Sequence, residues 1–241
     1  MVSDAAMIKA VFFDLYHTLL RYDPPREEPL AKAINDFGIE VTAEALRRPL
    51  IAADEFIHQE HARLLLSKRP DEEKKALRAQ YQAVVLKEAG IEPTTELISS
   101  ILAKMHRTRF NQVLFDDVLP TLNEIKSRGL ILGLISNIDN DIAPLFRKLG
   151  LAPLLQVVVT SQGTGYSKPQ PEIFREAVRQ GGVRAQEAIY VGDQYQVDVI
   201  GATKAGMQGI LLDRGGFFKE ATENPNIQNL YQLLEHLRRQ Q

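Results

Sequence analysis

The chain has 241 residues, 44% of them hydrophobic and 25% charged, with a formal net charge of -2. That balance belongs to a folded globular protein and excludes a disordered or collagen-like chain. Lys and Arg are scattered rather than clustered, which argues against a nucleic-acid partner, and the absence of cysteine removes disulfides, thiolate metal sites and cysteine nucleophiles.

The start, Met1 to Met7, carries Asp4 and lacks a basic segment followed by a long apolar one, so it does not read as a signal peptide. No apolar run reaches the roughly 18 residues that a membrane span needs. A cytoplasmic protein with no membrane partner is expected. The first predicted strand is Ile8–Phe13 (IKAVFF). After it, from Pro29 to about Arg109, the periodicity is helical, with candidate helices at Leu30–Phe37, Ala43–His61, Asp71–Ala89 and Thr95–Thr108. Asp71-Glu72-Glu73 makes an acidic first turn and Gly90 a C-terminal stop. Hinges are expected at Arg21–Pro25 and Gln112–Val118.

Four further strands follow: Ile131–Ile135, Val157–Thr160, Ala188–Val191 and Gly209–Leu212. They are almost continuously apolar, as parallel strands buried on both faces are. Helical segments at Ala143–Leu149, Pro171–Arg179 and Val197–Ala205 alternate with them. The expected fold class is therefore α/β, a doubly wound parallel sheet with a helical bundle inserted after its first strand. Residues 1–20 and 113–241 would form the α/β core and residues 21–112 the inserted bundle. The Arg238-Arg239 pair reads as a solvated helix end.

In an open parallel sheet, ligands bind at the C-terminal ends of the strands. Those ends carry Asp14-Leu15-Tyr16-His17-Thr18, Ser136-Asn137, Ser167-Lys168-Pro169 and Gly192-Asp193, with Asp198 five residues after Asp193. A carboxylate there is a candidate covalent nucleophile, and a nearby lysine keeps it ionised. A hydroxyl and backbone N–H groups can hold phosphate oxygens. Two carboxylates begin an oxygen-rich Mg²⁺ site. Each residue has an ordinary alternative. Asp14, Ser136 and Asp198 are plausible caps, Lys168 an exposed loop lysine, and Tyr16 and His17 partly buried, satisfied side chains. Four strand ends supplying complementary groups in one order favour the functional reading.

In these residues the sequence resembles the haloacid dehalogenase-like (HAD) superfamily. The family's Asp-x-Asp-x-Thr appears as Asp14-Leu15-Tyr16-His17-Thr18, and its strand-ending Ser as Leu134-Ile135-Ser136-Asn137. Its Lys-Pro-x-Pro is Lys168-Pro169-Gln170-Pro171, and its Gly-Asp-x-x-x-x-Asp is Gly192-Asp193 to Asp198. The resemblance implies a hydrolase with Asp14 as nucleophile beneath a helical cap. Thr18, Ser136 and Asn137 would contact substrate, and Lys168 would bridge nucleophile and substrate. Asp14, Asp193 and the backbone carbonyl of Tyr16 would hold Mg²⁺, with Asp198 orienting the metal site.

One position departs from the pattern. Family phosphatases carry an acidic general acid two residues past the nucleophile, where this chain has Tyr16. Tyrosine, with an ordinary pKa of about 10, is a poor general base at neutral pH. Family 2-haloacid dehalogenases do carry Asp-x-Tyr, and need no metal, but they lack the acidic pair that Asp193 and Asp198 supply. The leading expectation is a Mg²⁺-dependent phosphatase of a small phosphorylated metabolite. The alternatives are a 2-haloacid dehalogenase and a HAD-fold binding protein with impaired chemistry. The dehalogenase's carboxylate-gripping arginine has no clear counterpart; Arg21 and Arg26 are nearest, and both read as exposed hinge residues. In the cap, His58, His61, Arg63, His106, Arg107 and Arg109 are candidates to face substrate, whereas Phe56, Leu64–Leu66 and Tyr81 read as core. A monomer or homodimer is expected.

Overall fold

A computed structural model describes residues 7–139, 141–218 and 223–239. The start that read as no signal peptide lies, Met7 apart, outside them. The chain runs β1 (Ala10–Phe13), β2 (Leu20–Asp23), α1 (Glu27–Asn35), α2 (Ala43–Arg63), α3 (Asp71–Glu88), α4 (Thr95–Arg107) and β3 (Asn111–Leu114). It continues with α5 (Val118–Ser127), β4 (Ile131–Ser136), α6 (Ala143–Leu149), β5 (Val157–Thr160), α7 (Ser161–Thr164) and α8 (Pro171–Gly181). Then come β6 (Ala188–Gly192), a π-helical turn (Tyr195–Ile200), α9 (Gly201–Lys204), β7 (Gln208–Leu212), β8 (Asn226–Ile227) and α10 (Leu230–Arg238). Two compact units result: one of residues up to Leu20 together with those from Leu114 onward, the other Arg21–Val113.

The first unit is built on a parallel sheet in the order β5-β4-β1-β6-β7-β8. Successive strand residues point to opposite faces, and each face has its own core. Val11, Phe13, Leu132, Leu134, Ile189, Val191, Ile210 and Leu212 join one cluster with α5, α6 and α10. Ala10, Phe12, Ile135, Ala188 and Tyr190 join the other with Ile173, Phe174 and Ala177 of α8. Burial on both faces explains the unbroken apolar runs in the sequence. Phe12 and Phe13 are fully buried, and truncating a core aromatic of this kind costs about 3–5 kcal/mol. The order reverses beside β1: the chain steps outward through β4 and β5, then returns to β6 on the other side. That switch point brings the ends of β1 and β6 together. Helix α8 is bounded as its sequence dictates, with Pro171 in its first turn and Gly182 left-handed at its end.

The second unit packs α1 to α4 around Leu30, Ile34, Leu46, Leu50, Ala53, Val85, Leu86, Leu97 and Ile101. Thr42 and Thr94 cap α2 and α4 by accepting from the backbone N–H groups of Ala45 and Leu97. Helix α1 begins before Pro29 because a proline is tolerated in the first turn.

Three local features were not foreseen. The segments expected as hinges overlap β2 and β3, which pair as a two-stranded sheet; Leu20 and Tyr22 alternate with Arg21 and Asp23, but four residues beside Pro24-Pro25 give a weak strand signal. Leu64 is 41% exposed rather than core, because α2 ends at Arg63 and the backbone turns extended there. The helix expected over Val197–Ala205 is a π-helical turn followed by the short α9. No helix among the described residues is long and apolar enough to cross a membrane.

Candidate active site

Asp14 directly follows β1, its N–H donating to the Val191 carbonyl of β6 at 2.9 Å. The turn after it folds back through Leu19 and Leu20 N–H bonds to the Leu15 carbonyl, with His17 held at φ 62°. Histidine is among the side chains that tolerate this left-handed region. Thr18 is fully buried, and its Oγ1 donates to Asp193 Oδ1 at 3.4 Å. From behind, Arg214 Nη2 donates to the Thr18 carbonyl at 2.9 Å. Arg214 is itself fixed by a two-pronged pair with Asp117, both bonds 2.9 Å, and by stacking 3.8 Å from the centre of the Phe115 ring.

At the centre lies Lys168, only 1% exposed rather than the exposed loop lysine that its position alone allows. Its Nζ donates to Asp14 Oδ1 at 2.6 Å, Asp198 Oδ1 at 2.6 Å and the Tyr190 hydroxyl at 2.9 Å. An ammonium has three protons, so all three are used. Burial by itself would lower the lysine pKa, but the adjacent Asp14 and Asp198 carboxylates outweigh it, and the pKa is raised. Lys168 is therefore charged at every working pH. Ser136, at the end of β4, donates to the same Asp14 Oδ1 at 3.1 Å.

The loop carrying Lys168 is clamped by Asn137. Its Nδ2 donates to the Lys168 carbonyl at 3.0 Å, and its Oδ1 accepts the Lys168 N–H at 2.7 Å. Asn137 thus grips the backbone that carries Lys168.

Asp198 is 1% exposed, and both its oxygens are engaged: Oδ1 by Lys168 and Tyr190, Oδ2 by the Gln194 N–H at 3.0 Å. Reaching back to Gln194 gives it the capping role that was its ordinary alternative, and it adds the lysine contact. Gly192 is required beneath it, since a Cβ there would lie 2.4 Å from the Asp198 carboxyl. The π-helical turn supplies this geometry, as such turns often do at functional sites.

One oxygen of each of Asp14, Asp193 and Asp198 lies within 4.8 Å of the other two. Three carboxylates thus face one ammonium, an excess of negative charge that a divalent cation would balance. An all-oxygen donor set suits Mg²⁺ or another hard cation. Asp198 is bonded tightly through both oxygens, whereas Asp193 is partly exposed and takes only longer bonds, from Thr18 at 3.4 Å and Gln194 Nε2 at 3.3 Å, so Asp14 and Asp193 are the residues that could hold such a cation.

Tyr16 is partly buried with its ring packed against the apolar cluster on one face of the sheet. Tyr190, absent from the sequence-derived candidates, stands fully buried inside the site. Burial, with Asp198 and Asp14 nearby, pushes its hydroxyl well above the usual tyrosine range and keeps it protonated. The available signal was the single polar atom in the Ala188–Val191 run.

Within the helical unit, Arg26 is no exposed hinge residue. Its guanidinium makes a two-pronged pair with Asp54 and donates to the Tyr81 hydroxyl at 3.1 Å, while Tyr81 donates to Asp54 Oδ1 at 2.8 Å. Helical spacing alone gave no sign of a partner 28 residues away. Of the other candidates there, His61 is buried, His58 half-buried, and Arg63, His106, Arg107 and Arg109 are exposed or, for Arg63, largely so. His106 lines a cavity of about 730 Å³ with Ile57, Leu77, Leu102 and Met105.

Comparisons with known proteins agree with this geometry. A glyceraldehyde 3-phosphate phosphatase of Methanopyrus kandleri is 32% identical over 218 residues, 88% of this chain and 86% of the relative. The crystal structure of a HAD phosphatase from Thermococcus onnurineus aligns with TM-score 0.55 and 25% identity, covering 95% of this chain and 98% of that one. A 2-haloacid dehalogenase from Pseudomonas syringae pv. Tomato aligns with TM-score 0.54 and 30% identity, covering 97% and 99%. The haloacid dehalogenase-like hydrolase family model matches residues 8–206. The chain therefore belongs to the haloacid dehalogenase-like hydrolases and is an enzyme of that family.

Proposed function

We propose that this hydrolase is a Mg²⁺-dependent phosphatase of a small phosphorylated metabolite, with the helical unit as its cap. The carrying observation is Lys168 held between Asp14 and Asp198 beside Asp193, which supports a site built for a negatively charged group and a divalent cation. Asp14 attacks phosphorus as the ester P–O bond breaks and the leaving group departs, and water then hydrolyses the aspartyl phosphate to release phosphate and restore Asp14; Lys168 holds the carboxylate ionised and in place. Ser136 and Thr18 offer hydroxyls to phosphate oxygens, while Asn137 fixes the backbone that carries Lys168. Asp14, Asp193 and the Tyr16 carbonyl would hold the cation, and Asp198 orients the site through Lys168 and the Gln194 N–H. When bound, the cation would supply charge neutralisation at the transferring phosphoryl group. Tyr16 leaves no acidic proton donor two residues past the nucleophile, so turnover favours esters whose leaving group departs without a proton. The phosphatase names of two similar proteins support the same reading.

A panel of phosphomonoesters assayed in Mg²⁺ and in EDTA tests this. Metal-dependent phosphate release is expected, and silence across the panel would end the reading. The second reading, a 2-haloacid dehalogenase, is favoured by Tyr16 and by likeness to the Pseudomonas structure. It predicts halide release from a 2-haloacid in EDTA.

A further inference from the structure

We infer that Tyr190 is a positioning residue of the reaction: its hydroxyl accepts the third proton of Lys168 and so fixes which two the ammonium offers to Asp14 and Asp198. This rests on the phosphatase reading above.

Tyr190 pairs in register with Phe12 of β1. The period of two places both side chains on one face of the sheet, together with Ile135. From β6 the ring reaches past β1, which lies between β6 and β4 in the sheet, and its Oη lies 3.0 Å from the Ile135 carbonyl. Lysine only donates, so at 2.9 Å the hydroxyl accepts from Lys168. Its single proton then has two acceptors, the Ile135 carbonyl at 3.0 Å and Asp198 Oδ1 at 3.2 Å. Both lie within hydrogen-bond reach, so the hydroxyl bridges Lys168 to the Ile135 carbonyl and to Asp198. Ile135 immediately precedes Ser136, whose hydroxyl holds Asp14. One buried hydroxyl therefore ties the lysine to the strand end carrying the serine. Packing does not require it: the ring makes an edge contact with Phe174, centroids 5.2 Å apart, that a phenylalanine makes equally well.

Tyr190→Phe in the full-length protein, assayed with para-nitrophenyl phosphate and Mg²⁺, is the test. Misplacing a positioned group by an ångström lowers rates by up to about a hundredfold. The expected result is a kcat about tenfold lower, KM within about twofold, and cooperative melting retained. Phe174→Leu is the packing control: it removes contacts from the same ring without touching Lys168. It should lower Tm at least as much while keeping kcat within about twofold of wild type. A Tyr190→Phe kcat equal to wild type, or an equal kcat loss in Phe174→Leu, overturns the inference. If the wild type hydrolyses no phosphomonoester, the phosphatase reading falls separately. The crystal structure of Tyr190→Phe then decides: Lys168 Nζ displaced from Asp14 and Asp198 supports the inference, and Nζ unmoved refutes it.

Discussion

Two inward-facing cations, Arg26 in the helical unit and Lys168 in the α/β unit, are neutralised differently. In the helical unit the planar Arg26 guanidinium meets one carboxylate, Asp54, with Tyr81 closing the triangle. One positive charge faces one negative charge, and the cluster is complete. At the ends of β1 and β6, Lys168 faces Asp14, Asp198 and the nearby Asp193. One positive charge faces three carboxylates, and the cluster asks for something more. Arginine's rigid fork suits the first arrangement, and the compact ammonium, with three separately aimed donors, suits the second. A balanced buried pair holds a fold together, whereas an unbalanced one at a sheet edge is prepared for a ligand.

The largest expected effect comes from Lys168→Met. Removing a preorganised charge beside the reacting group costs about 10²–10³ in rate, so kcat/KM should fall by at least that much. A variant retaining wild-type kcat/KM would break the contrast. Next is Arg26→Met, which strands Asp54 without its partner. Breaking a buried pair in this way costs about 3–5 kcal/mol, read as a lowered urea midpoint. An unchanged midpoint would show that Arg26 is free for another task, as the dehalogenase reading requires of an arginine.

A smaller, pH-dependent effect belongs to Glu187, just before the N-terminal end of β6. Bonds from the Arg184 guanidinium, Lys9 and the Arg184 N–H hold its carboxyl at about 2, well below the usual value. Because the folded value is depressed, its stabilisation is full above the unfolded value of about 4.5 and is lost as pH falls towards 2. Glu187→Gln should therefore lower the urea midpoint at pH 7 and converge with wild type near pH 2. A constant gap across that window would contradict this. The smallest effect belongs to Lys75, exposed and paired with Glu72 at 2.8 Å. Lys75→Ala should change stability by less than about 0.5 kcal/mol.

The sequence made the sheet and the strand-end residues legible for one reason. Strands buried on both faces leave continuous apolar runs, and the residue that breaks each run marks the ligand edge. Asp14, Ser136 and Asp193 announced themselves in this way, whereas Lys168 and Asp198 lie beyond the strand ends and stood out only by their order and spacing with the others. Tyr190 did not, because it lies inside a run and its ring satisfies the apolar pattern while its hydroxyl serves the site. Nor did Arg26 or Arg214, whose partners lie 28 and 97 residues away with no periodicity to connect them. The β2–β3 pair escaped because four residues are too few to show alternation beside Pro24-Pro25.

Turnover of para-nitrophenyl phosphate by Asp14→Asn, measured beside wild type in Mg²⁺, tests the central claim most directly. The carboxylamide keeps the shape of Asp14 but removes the nucleophile, so kcat should fall by about a thousandfold or more. An Asp14→Asn enzyme turning over within about tenfold of wild type would show that Asp14 is no nucleophile and that Lys168 serves some other end.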